Sequence, residues 1–320
     1  MVSFWNTLTK PFLALAPMED VTDTVFRQIV AGCARPDVFF TEFVNVEGMF
    51  ARGQDVVRQR LKFTDHERPI VAQIWGTKAE YFYRAATELV KLGFDGVDLN
   101  FGCPVKAIVK KGACAALIEN PALAKEIIQA TKEGAKNLPV SVKTRIGYNS
   151  IVTEDWIGFL LEENLDALAI HGRTAREMSV VPAHWDEIRK VVTLRDKLKV
   201  KTLIIGNGDV LSAAEAAEKS KTYGVDGVMI GRGILHNPWV FERSGRTEMQ
   251  NQEKKFELLI KHVKLFENTW GTAKPFAVLK KYFKIYIQGF PGASELRTKL
   301  MATKSTAEVE QIITEQSRKS

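Results

Sequence analysis

The sequence is poor in cysteine and has no long apolar run. Three cysteines occur among 320 residues, and no two of them form a C-x-x-C pair. This spacing argues against a disulfide framework and against a structural zinc site, and it favours a reducing, cytosolic setting. The first residues carry no apolar stretch long enough for a signal peptide or a membrane span. We therefore expect a cytoplasmic protein that uses no metal and does not bind a membrane.

An acidic excess is also lacking, and the basic excess is unevenly distributed. The net charge is +7. Residues 246–320 contain 14 Lys and Arg against 8 Asp and Glu, whereas residues 1–245 contain 31 against 30. A basic segment on a near-neutral body predicts a polyanionic partner, most simply a nucleic acid. The alternative is a solvated helical surface without such a partner.

Short apolar segments rich in β-branched residues alternate with helical patterns along most of the chain. The predicted strands are 12–18, 38–44, 69–75, 96–101, 139–145, 167–171, 202–206 and 227–231. Their nearly continuous apolar character is typical of strands that are covered on both faces. Eight β-then-α units predict an α/β fold of the (β/α)8 TIM-barrel class. A doubly wound open sheet is the alternative, but no G-x-G-x-x-G follows the first strand.

Helix signals separate these strands and then continue alone. Segments 79–92 and 212–223 are helix-prone, and Asn120 followed by Pro121 is typical of a capped helix start. After about Arg246 the alternation stops. The helices predicted beyond it lie within 256–266, 275–288, 293–301 and 306–314. We expect a barrel domain over residues 1–245 and a small helical bundle over residues 246–320.

The segment 98–104 places a cysteine at a predicted strand end. Pro104 restricts Cys103 to an extended backbone, and Gly102 relieves crowding beside the thiol. A thiol presented in this way can act as a proton donor or as a nucleophile. With an ordinary pKa of about 8.5 it would be mostly protonated at neutral pH. The alternative is a small buried apolar residue.

Polar residues occur at the other strand ends, where a TIM barrel carries its site. They are Glu42, Gln73, Asn100, Lys143, Arg145, His171, Asn207 and Asp209. Glycines after strands seven and eight would bare backbone N–H groups at the usual phosphate position. Arg232 adds a forked positive charge there. The layout suits a phosphorylated ring cofactor. Flavin mononucleotide (FMN) fits this layout. Pyridoxal phosphate is the alternative, because it needs a lysine to form a Schiff base and Lys143 could be that lysine.

The same segments resemble the tRNA-dihydrouridine synthases of the bacterial, flavin-dependent type. The matching segments follow in order over almost the whole chain: 15–18, 22–23, 41–42, 72–74, 98–104, 110–112, 142–145, 171–174, 206–209, 231–232, 237–239, 289–293 and 295–297. The resemblance implies reduction of uridine in tRNA to 5,6-dihydrouridine on FMN, with NADPH as the reductant. It also implies that the helical domain binds tRNA, and we expect a monomer.

The resemblance assigns roles by matched position. Residues that would contact the flavin ring are Ala16, Pro17, Met18, Gln73 and Lys143, and His171 would contact the flavin or its ribityl phosphate. Residues that would bind its ribityl tail and phosphate are Asn207, Gly208, Asp209, Gly231 and Arg232. Cys103 would be the general acid that protonates the uracil, while Asn100 and Arg145 would orient it.

Two places depart from the family pattern. Ser179 and Val181 stand where a tyrosine and a glycine are usual, and Cys114 stands where a glycine is common. We interpret Cys114 as a small loop filler and Cys33 as a structural residue. Two other functions remain open from the sequence. One is a flavin barrel that reduces a free pyrimidine or another small enone, and the other is an RNA-binding module without catalysis.

Overall fold

The structure, a computed structural model, describes residues 3–245 and 251–318. The chain divides into two compact units, which we call the barrel unit (Met1–Thr24 and Pro36–Gly231) and the helical unit (Val25–Arg35 and Arg232–Ser320). The predicted domain boundary between residues 245 and 246 falls at the edge of segment 246–250, which lies outside the described residues. That boundary stays a prediction.

Parallel strands form the sheet of the barrel unit. In chain order they are β1 (Phe12–Leu15), β2 (Phe39–Phe40), β3 (Val44–Asn45), β4 (Ile70–Trp75), β5 (Gly96–Phe101), β6 (Val140–Arg145), β7 (Ala167–His171), β8 (Leu203–Asn207) and β9 (Gly227–Ile230). They cover the predicted strand segments, and most bounds agree within one or two residues. The second predicted strand is interrupted, because the chain leaves the ladder between β2 and β3.

The strands close into a ring. The order of paired neighbours is β1-β9-β8-β7-β6-β5-β4-β2, and β3 continues the ladder on β4. A parallel bridge between Ala14 and Val38 joins the two ends, and Val38 accepts a 3.1 Å hydrogen bond from the backbone N–H of Leu15. Eight strand positions in a parallel ring with intervening helices confirm the predicted (β/α)8 TIM barrel.

Helices follow the strands along the chain, and the first of them belongs from Val25 onward to the helical unit. The helices of the first 245 residues are α1 (Thr24–Cys33), α2 (Gln54–Arg58), α3 (Ala79–Lys91), α4 (Lys106–Val109), α5 (Pro121–Ala135), α6 (Thr153–Glu162), α7 (Trp185–Leu198) and α8 (Ala213–Tyr223). Asn120 caps α5, as predicted, because its side chain accepts from the backbone N–H of Leu123. Ser212 caps α8 in the same way. No helix among residues 3–245 and 251–318 is long and apolar enough to cross a membrane.

The barrel interior has an apolar layer in its lower part. Its members are buried and come from most of the strands and from the segment before β1; they include Trp5, Phe12, Ala14, Phe40, Val71, Ala169, Ile205 and Met229. Side chains alternate across a strand, so the residues two positions later in the chain also point inward. The inward positions nearest the carboxyl ends are therefore the ones left to carry polar groups.

The helical unit contains the helices that the sequence predicts after about Arg246. These are α9 (Gln252–Trp270), α10 (Phe283–Tyr286), α11 (Ala293–Ala302) and α12 (Thr306–Ser317). The sequence predicts one helix over 275–288, but the structure has a 3-10 helix at Phe276–Tyr282 followed by α10. Leu279 and Tyr282 are both buried and lie three residues apart, which is one turn of a 3-10 helix.

Candidate active site at the carboxyl end of the barrel

Polar side chains gather at the carboxyl ends of the strands, inside the ring. Gln73 lies two residues after the apolar Val71 on β4, and His171 lies two residues after Ala169 on β7. The same alternation places further polar side chains inside, namely Asp98, Asn100, Lys143, Arg145 and Asn207. The sequence analysis predicted this placement for all of them except Asp98.

A chain of hydrogen bonds runs from the buried centre of the barrel to Cys103. Asp98 is fully buried and accepts from Nε2 of Gln73 at 2.7 Å and from Oγ of Ser141 at 2.6 Å. Gln73 then accepts at Oε1 from Nδ2 of Asn100 at 3.0 Å. Asn100 accepts at Oδ1 from the backbone N–H of Cys103 at 3.0 Å. Because a carboxylate only accepts and an N–H only donates, both ends of this chain fix the orientation of the two amides.

Burial raises the pKa of Asp98 from 3.8 to about 6, while its bonds from Ser141 and Gln73 oppose this change. Near neutral pH the group is therefore mostly ionised and able to accept both bonds. The sequence analysis assigned Asp98 no role. The signal available was an acidic residue at an inward position within an apolar strand, since an isolated buried charge is costly and is normally paired.

Cys103 follows β5 in a turn that Asn100 shapes. Oδ1 of Asn100 accepts from the N–H of Gly102 at 3.1 Å as well as from that of Cys103. The thiol is half-buried. A hydrogen bond from Cys114 is the largest cause that lowers the pKa of Cys103 from 9.0 to about 7; burial opposes it, while the Val105 N–H and Arg145 add to it. The thiol is therefore a stronger acid than the ordinary cysteine that the sequence predicts.

Arg145, at the end of β6, ties together two loops beside Cys103. Its Nε donates to the carbonyl oxygen of Gly102 at 2.7 Å, and its Nη1 donates to the carbonyl oxygens of Thr174 and Met178 at 3.0 Å each. Burial lowers the pKa of Arg145 from 12.5 to about 10, so the guanidinium keeps its charge at neutral pH. In the described part of the chain no hydrogen bond uses Nη2. That nitrogen is the group with which Arg145 could bind a substrate oxygen.

Lys143 lies on the same strand and contacts Asn207 across the ring. Its Nζ donates to Oδ1 of Asn207 at 3.0 Å, and Nδ2 of Asn207 donates to the carbonyl oxygen of Met229 at 2.7 Å. Burial, followed by the nearby Arg145 cation, lowers the pKa of Lys143 from 10.5 to about 8. An ammonium has three N–H bonds, and Asn207 accepts one of them. Lys143 can therefore offer a cationic donor to a ligand at the barrel mouth.

His171 is held by an arginine that the sequence analysis gave no role. Nη1 of Arg173 lies 3.0 Å from Nε2 of His171. A guanidinium can only donate, so Nε2 accepts and the ring proton lies on Nδ1. Arg173 is buried and also donates to the carboxylate of Asp209. That carboxylate accepts from the N–H of Ala183 at 2.8 Å. The structure thus brings His171 and Asp209 together, with Arg173 between them.

At the glycines of the two predicted phosphate segments, a side chain would meet neighbouring protein atoms. Gly208 has a φ of +132°, and a Cβ at this position would lie 2.6 Å from Cβ of Ala183. At Gly231 a Cβ would lie 3.6 Å from Cβ of Ala16 and 4.0 Å from the sulfur of Met18, so these three predicted residues lie together. Pro17, between the latter two, is buried.

These features fit the predicted FMN. A lysine supplies a cation, a histidine has a fixed tautomer, and Gly208 and Gly231 keep side chains away from the backbone of the predicted phosphate segments. Arg232 follows Gly231 in the chain and belongs to the helical unit, where its side chain is exposed. Its contact with a phosphate stays a prediction, as do the ligand contacts of the other site residues. Among the described residues, no group of three or more His, Cys, Asp or Glu could hold a metal ion.

The places that depart from the family pattern lie beside this site. Val181 offers its carbonyl oxygen to Nε of Arg173 at 2.6 Å, whereas Ser179 is exposed. Cys114 is buried, as a filler would be, and its loop contacts Cys103, because the N–H of Ala115 donates to the carbonyl oxygen of Cys103 at 3.3 Å. The sequence offered no signal for that contact, because eleven positions separate the two cysteines and a loop conformation decides whether their segments meet.

Comparison with known proteins agrees with the resemblance seen in the sequence. The family model described as "Dihydrouridine synthase (Dus)" matches residues 14–320. A protein of Staphylococcus aureus named "Probable tRNA-dihydrouridine synthase" is 48% identical over 316 residues, which are 98% of this chain and 95% of the relative. "Probable tRNA-dihydrouridine synthase 2" of Bacillus subtilis is 46% identical over 320 residues, with 99% and 97% covered.

Among solved structures, the old yellow enzyme homologue of Zymomonas mobilis covers 72% of this chain and 86% of its own at 15% identity, with a TM-score of 0.46. The matches to the family model and to the Staphylococcus and Bacillus proteins extend over both the barrel unit and the helical unit. The chain therefore belongs to the dihydrouridine synthase family.

Proposed function

We propose that this protein is a cytoplasmic, monomeric tRNA-dihydrouridine synthase that reduces uridine in tRNA with FMN and NADPH. The observation that carries the proposal is the acidic thiol of Cys103, held at the barrel mouth by a chain of hydrogen bonds from Asp98. Membership of the dihydrouridine synthase family, whose model matches residues 14–320, supports this proposal.

Several residues would hold the cofactor. Lys143 and Gln73 would bind the polar edge of the ring, and His171 would contact the ring or the ribityl phosphate. Ala16, Pro17 and Met18 would pack beside the ring, and the tail and phosphate would contact the backbone around Gly208 and Gly231 together with Arg232. When bound and reduced, FMN supplies a hydride to carbon 6 of uracil.

Cys103 would supply the proton. Hydride addition to carbon 6 leaves negative charge on carbon 5 and on the neighbouring carbonyl oxygen. The S–H bond of Cys103 breaks as a C–H bond forms at carbon 5, and the electron pair stays on sulfur. With a pKa of about 7, close to the working pH, the thiol is well matched to this transfer. Nη2 of Arg145 would stabilise the developing charge on the carbonyl oxygen.

The target base must leave its stack to reach such a site, because carbons 5 and 6 are poorly exposed in stacked RNA.

We propose that the helical unit binds the tRNA backbone. A cavity of about 380 Å³ in this unit is lined by Lys280, Lys284 and Arg297, together with Phe283 and Met301. Nζ of Lys280 donates to the carbonyl oxygen of Met301 at 2.7 Å, and Nη1 of Arg297 donates to that of Ile287 at 2.7 Å. Two of the three cations are thus held in place for a phosphate.

The test compares Cys103→Ala with Cys33→Ala. Cys33 is a matched control, because it is a buried cysteine of the helical unit whose pKa burial raises to about 12. We expect Cys103→Ala to retain FMN and tRNA binding and to lose at least about tenfold in turnover on tRNA, the low end of general-acid effects. Turnover by the folded Cys33→Ala protein should stay at the wild-type level. Undiminished turnover by Cys103→Ala would remove the thiol from the chemistry.

Assays on the purified wild-type protein distinguish this function from the two alternatives, a reductase of small pyrimidines or enones and an RNA-binding module without catalysis. Equal turnover on free uridine and on tRNA would favour an enzyme for small pyrimidines. A colourless protein that cannot be reconstituted with FMN would favour an RNA-binding module. Mapping dihydrouridine in tRNA from cells that lack the gene then tests the activity in the cell, since loss of the modification at defined positions is the expected result.

A further inference from the structure

The segment that follows Cys103 is strongly basic. We call residues 104–112 the lysine loop, because it contains Lys106, Lys110 and Lys111. No Asp or Glu occurs anywhere in segment 99–118. The loop follows β5 and therefore lies at the carboxyl end of the barrel, where the candidate active site is. Its charge is thus concentrated beside the group that would protonate the substrate.

The fold does not neutralise this charge. All three lysine side chains are exposed, and within the described ranges no oxygen pairs with any of their ammonium groups. Other exposed lysines of the barrel unit have carboxylate partners. Lys125 pairs with Glu163 at 3.4 Å, and Lys190 pairs with Glu187 at 2.6 Å. The lysine loop therefore presents three positive charges that are available to a partner.

Hydrogen bonds hold the loop in a defined shape against Cys103. The N–H of Gly112 donates to the carbonyl oxygen of Val109 at 2.9 Å and closes the turn after α4. Just beyond the loop, the N–H of Ala115 donates to the carbonyl oxygen of Cys103 at 3.3 Å. The backbone that carries the three lysines is therefore fixed relative to the segment that carries the thiol.

The outer surface of the loop leaves room for a large partner. Ala107 lies between the lysines, and it is exposed and small. Gly112 has a φ of +81°, and a Cβ at this position would meet no atom within 4 Å. A polymer backbone can therefore approach the ammonium groups without displacing other side chains.

We propose that the lysine loop binds the phosphates of the tRNA nucleotides next to the target uridine. The proposal rests on the proposed function, which supplies tRNA as the partner. A base that leaves its stack stays linked to two phosphates, so these must come close to the barrel mouth when the base reaches Cys103. Lysine suits such phosphates because its ammonium is a mobile point charge with three donors. Contacts of this kind fix the register of a nucleic acid without reading its sequence.

The experiment compares three multiple variants by filter binding to tRNA at several salt concentrations. The first carries Lys106→Gln, Lys110→Gln and Lys111→Gln, and the second carries arginine at the same three positions. The matched control carries Lys197→Gln, Lys199→Gln and Lys201→Gln. These control lysines are also exposed, and they lie between the end of α7 and the start of β8, opposite the strand ends.

The slope of log affinity against log salt should fall by about two in the glutamine variant of the loop, since each lost phosphate contact contributes about 0.7–0.9. Arginine should keep the slope near the wild-type value, because it keeps the charge, and the control should leave the slope unchanged. An unchanged slope in the loop variant would overturn the proposal. An equal fall in the control would do the same, because any exposed lysine would then suffice.

The other phosphates that could reach the barrel mouth belong to the reductant. Reduction of the bound flavin by NADPH alone, followed by its loss of colour, distinguishes this source. Slower flavin reduction in the loop variant together with an unchanged tRNA slope would assign the lysines to NADPH and overturn the proposal.

A crosslink tests the position of the contact. The tRNA carries one 4-thiouridine next to the uridine at which dihydrouridine has been mapped, and the irradiated complex is digested and analysed by mass spectrometry. We expect crosslinked peptides that include residues 104–112, and none of these peptides when the 4-thiouridine lies far from the mapped uridine. Crosslinks that never include the lysine loop would place the neighbouring nucleotides elsewhere and overturn the proposal.

The outcomes separate this proposal from the proposed function. If the slope falls and the crosslink forms but wild-type protein makes no dihydrouridine, the RNA contact stands and the proposed activity is wrong. If wild-type protein makes dihydrouridine while the slope is unchanged, the function stands and the role of the lysine loop is wrong.

Discussion

The backbone N–H of Cys103 donates a 3.0 Å hydrogen bond to Oδ1 of Asn100. Asn100 itself is 5% exposed and is anchored through Gln73 to the fully buried Asp98. The position of the thiol is therefore set by the interior of the barrel rather than by its own loop. The sequence resemblance gives Asn100 a substrate contact, and the structure adds a second task, because its amide also builds the turn that presents Cys103.

Asn100→Ala tests that second task. The variant removes the acceptor of two backbone N–H groups, so we expect a loss of about 1–3 kcal/mol in the free energy of unfolding. We also expect at least about tenfold slower turnover, because the general acid is no longer held in place. Urea denaturation and kcat on tRNA are the measurements.

Asn120→Ala is the matched control for Asn100→Ala. It also removes an amide oxygen that accepts a backbone N–H, at the start of α5, and should cost about 1 kcal/mol. Its kcat should stay at the wild-type level. Equal effects of the two variants on kcat would contradict a positioning role for Asn100.

Much of the fold could be predicted because burial leaves a direct mark on the sequence. Strands covered on both faces need continuous apolar runs, and the segments predicted at 96–101 and 167–171 match β5 and β7 residue for residue. The 3-10 helix at Phe276–Tyr282 could not be predicted in this way. Whether a helical segment winds three or 3.6 residues per turn depends on the surface that it packs against, which lies elsewhere in the chain.

The site divides along similar lines. Polar residues at predicted strand ends led to Gln73, Lys143, His171 and Asn207. This worked because side chains alternate along a strand, so position on the strand decides which of them point into the barrel. The partners of these residues could not be predicted. Arg173 contacts His171 within one loop, and the loop of Cys114 contacts Cys103 through the N–H of Ala115. Such contacts depend on loop conformation, for which sequence spacing carries no periodic signal.

Lys143 should make FMN binding depend on pH. Burial lowers its pKa to about 8, so in the free protein the ammonium is present below that pH and is lost above it. We expect FMN affinity to fall by about tenfold between pH 6.5 and pH 9.5, measured by quenching of flavin fluorescence. Lys143→Met should bind FMN more weakly at pH 6.5 and show a flatter profile. A wild-type affinity that does not change over this range would contradict the assignment of Lys143 to the ring.

Asp98 should make stability depend on pH, in a direction opposite to that of most carboxylates. The pKa of Asp98 is about 6 in the folded chain and 3.8 ordinarily, so between these values the folded state binds more protons than the unfolded state. This contribution to stability is present below pH 4 and is lost as the pH rises through about 6. Relative to Asp98→Asn, wild-type protein should lose about 2 kcal/mol between pH 4 and pH 7.

Urea denaturation at a series of pH values measures this difference. Asp65→Asn is the control, because it removes an exposed carboxylate and so gives the effect on stability of losing one negative charge at the surface. The wild-type and Asp98→Asn curves should converge or cross as the pH rises. Parallel curves would show that the protonation of Asp98 is not linked to folding.

The basic cavity of the helical unit should act through charge. If Lys284 contacts a tRNA phosphate, Lys284→Ala removes one ion contact and reduces the slope of log affinity against log salt by about one. Lys197→Ala is the control, since this exposed lysine lies at the end of α7, on the side of the barrel opposite the strand ends. Filter binding to tRNA at several salt concentrations gives both slopes. An equal slope for Lys284→Ala and Lys197→Ala would show that Lys284 does not contact a phosphate. Each phosphate that a lysine neutralises releases counterions, and this release contributes to the slope.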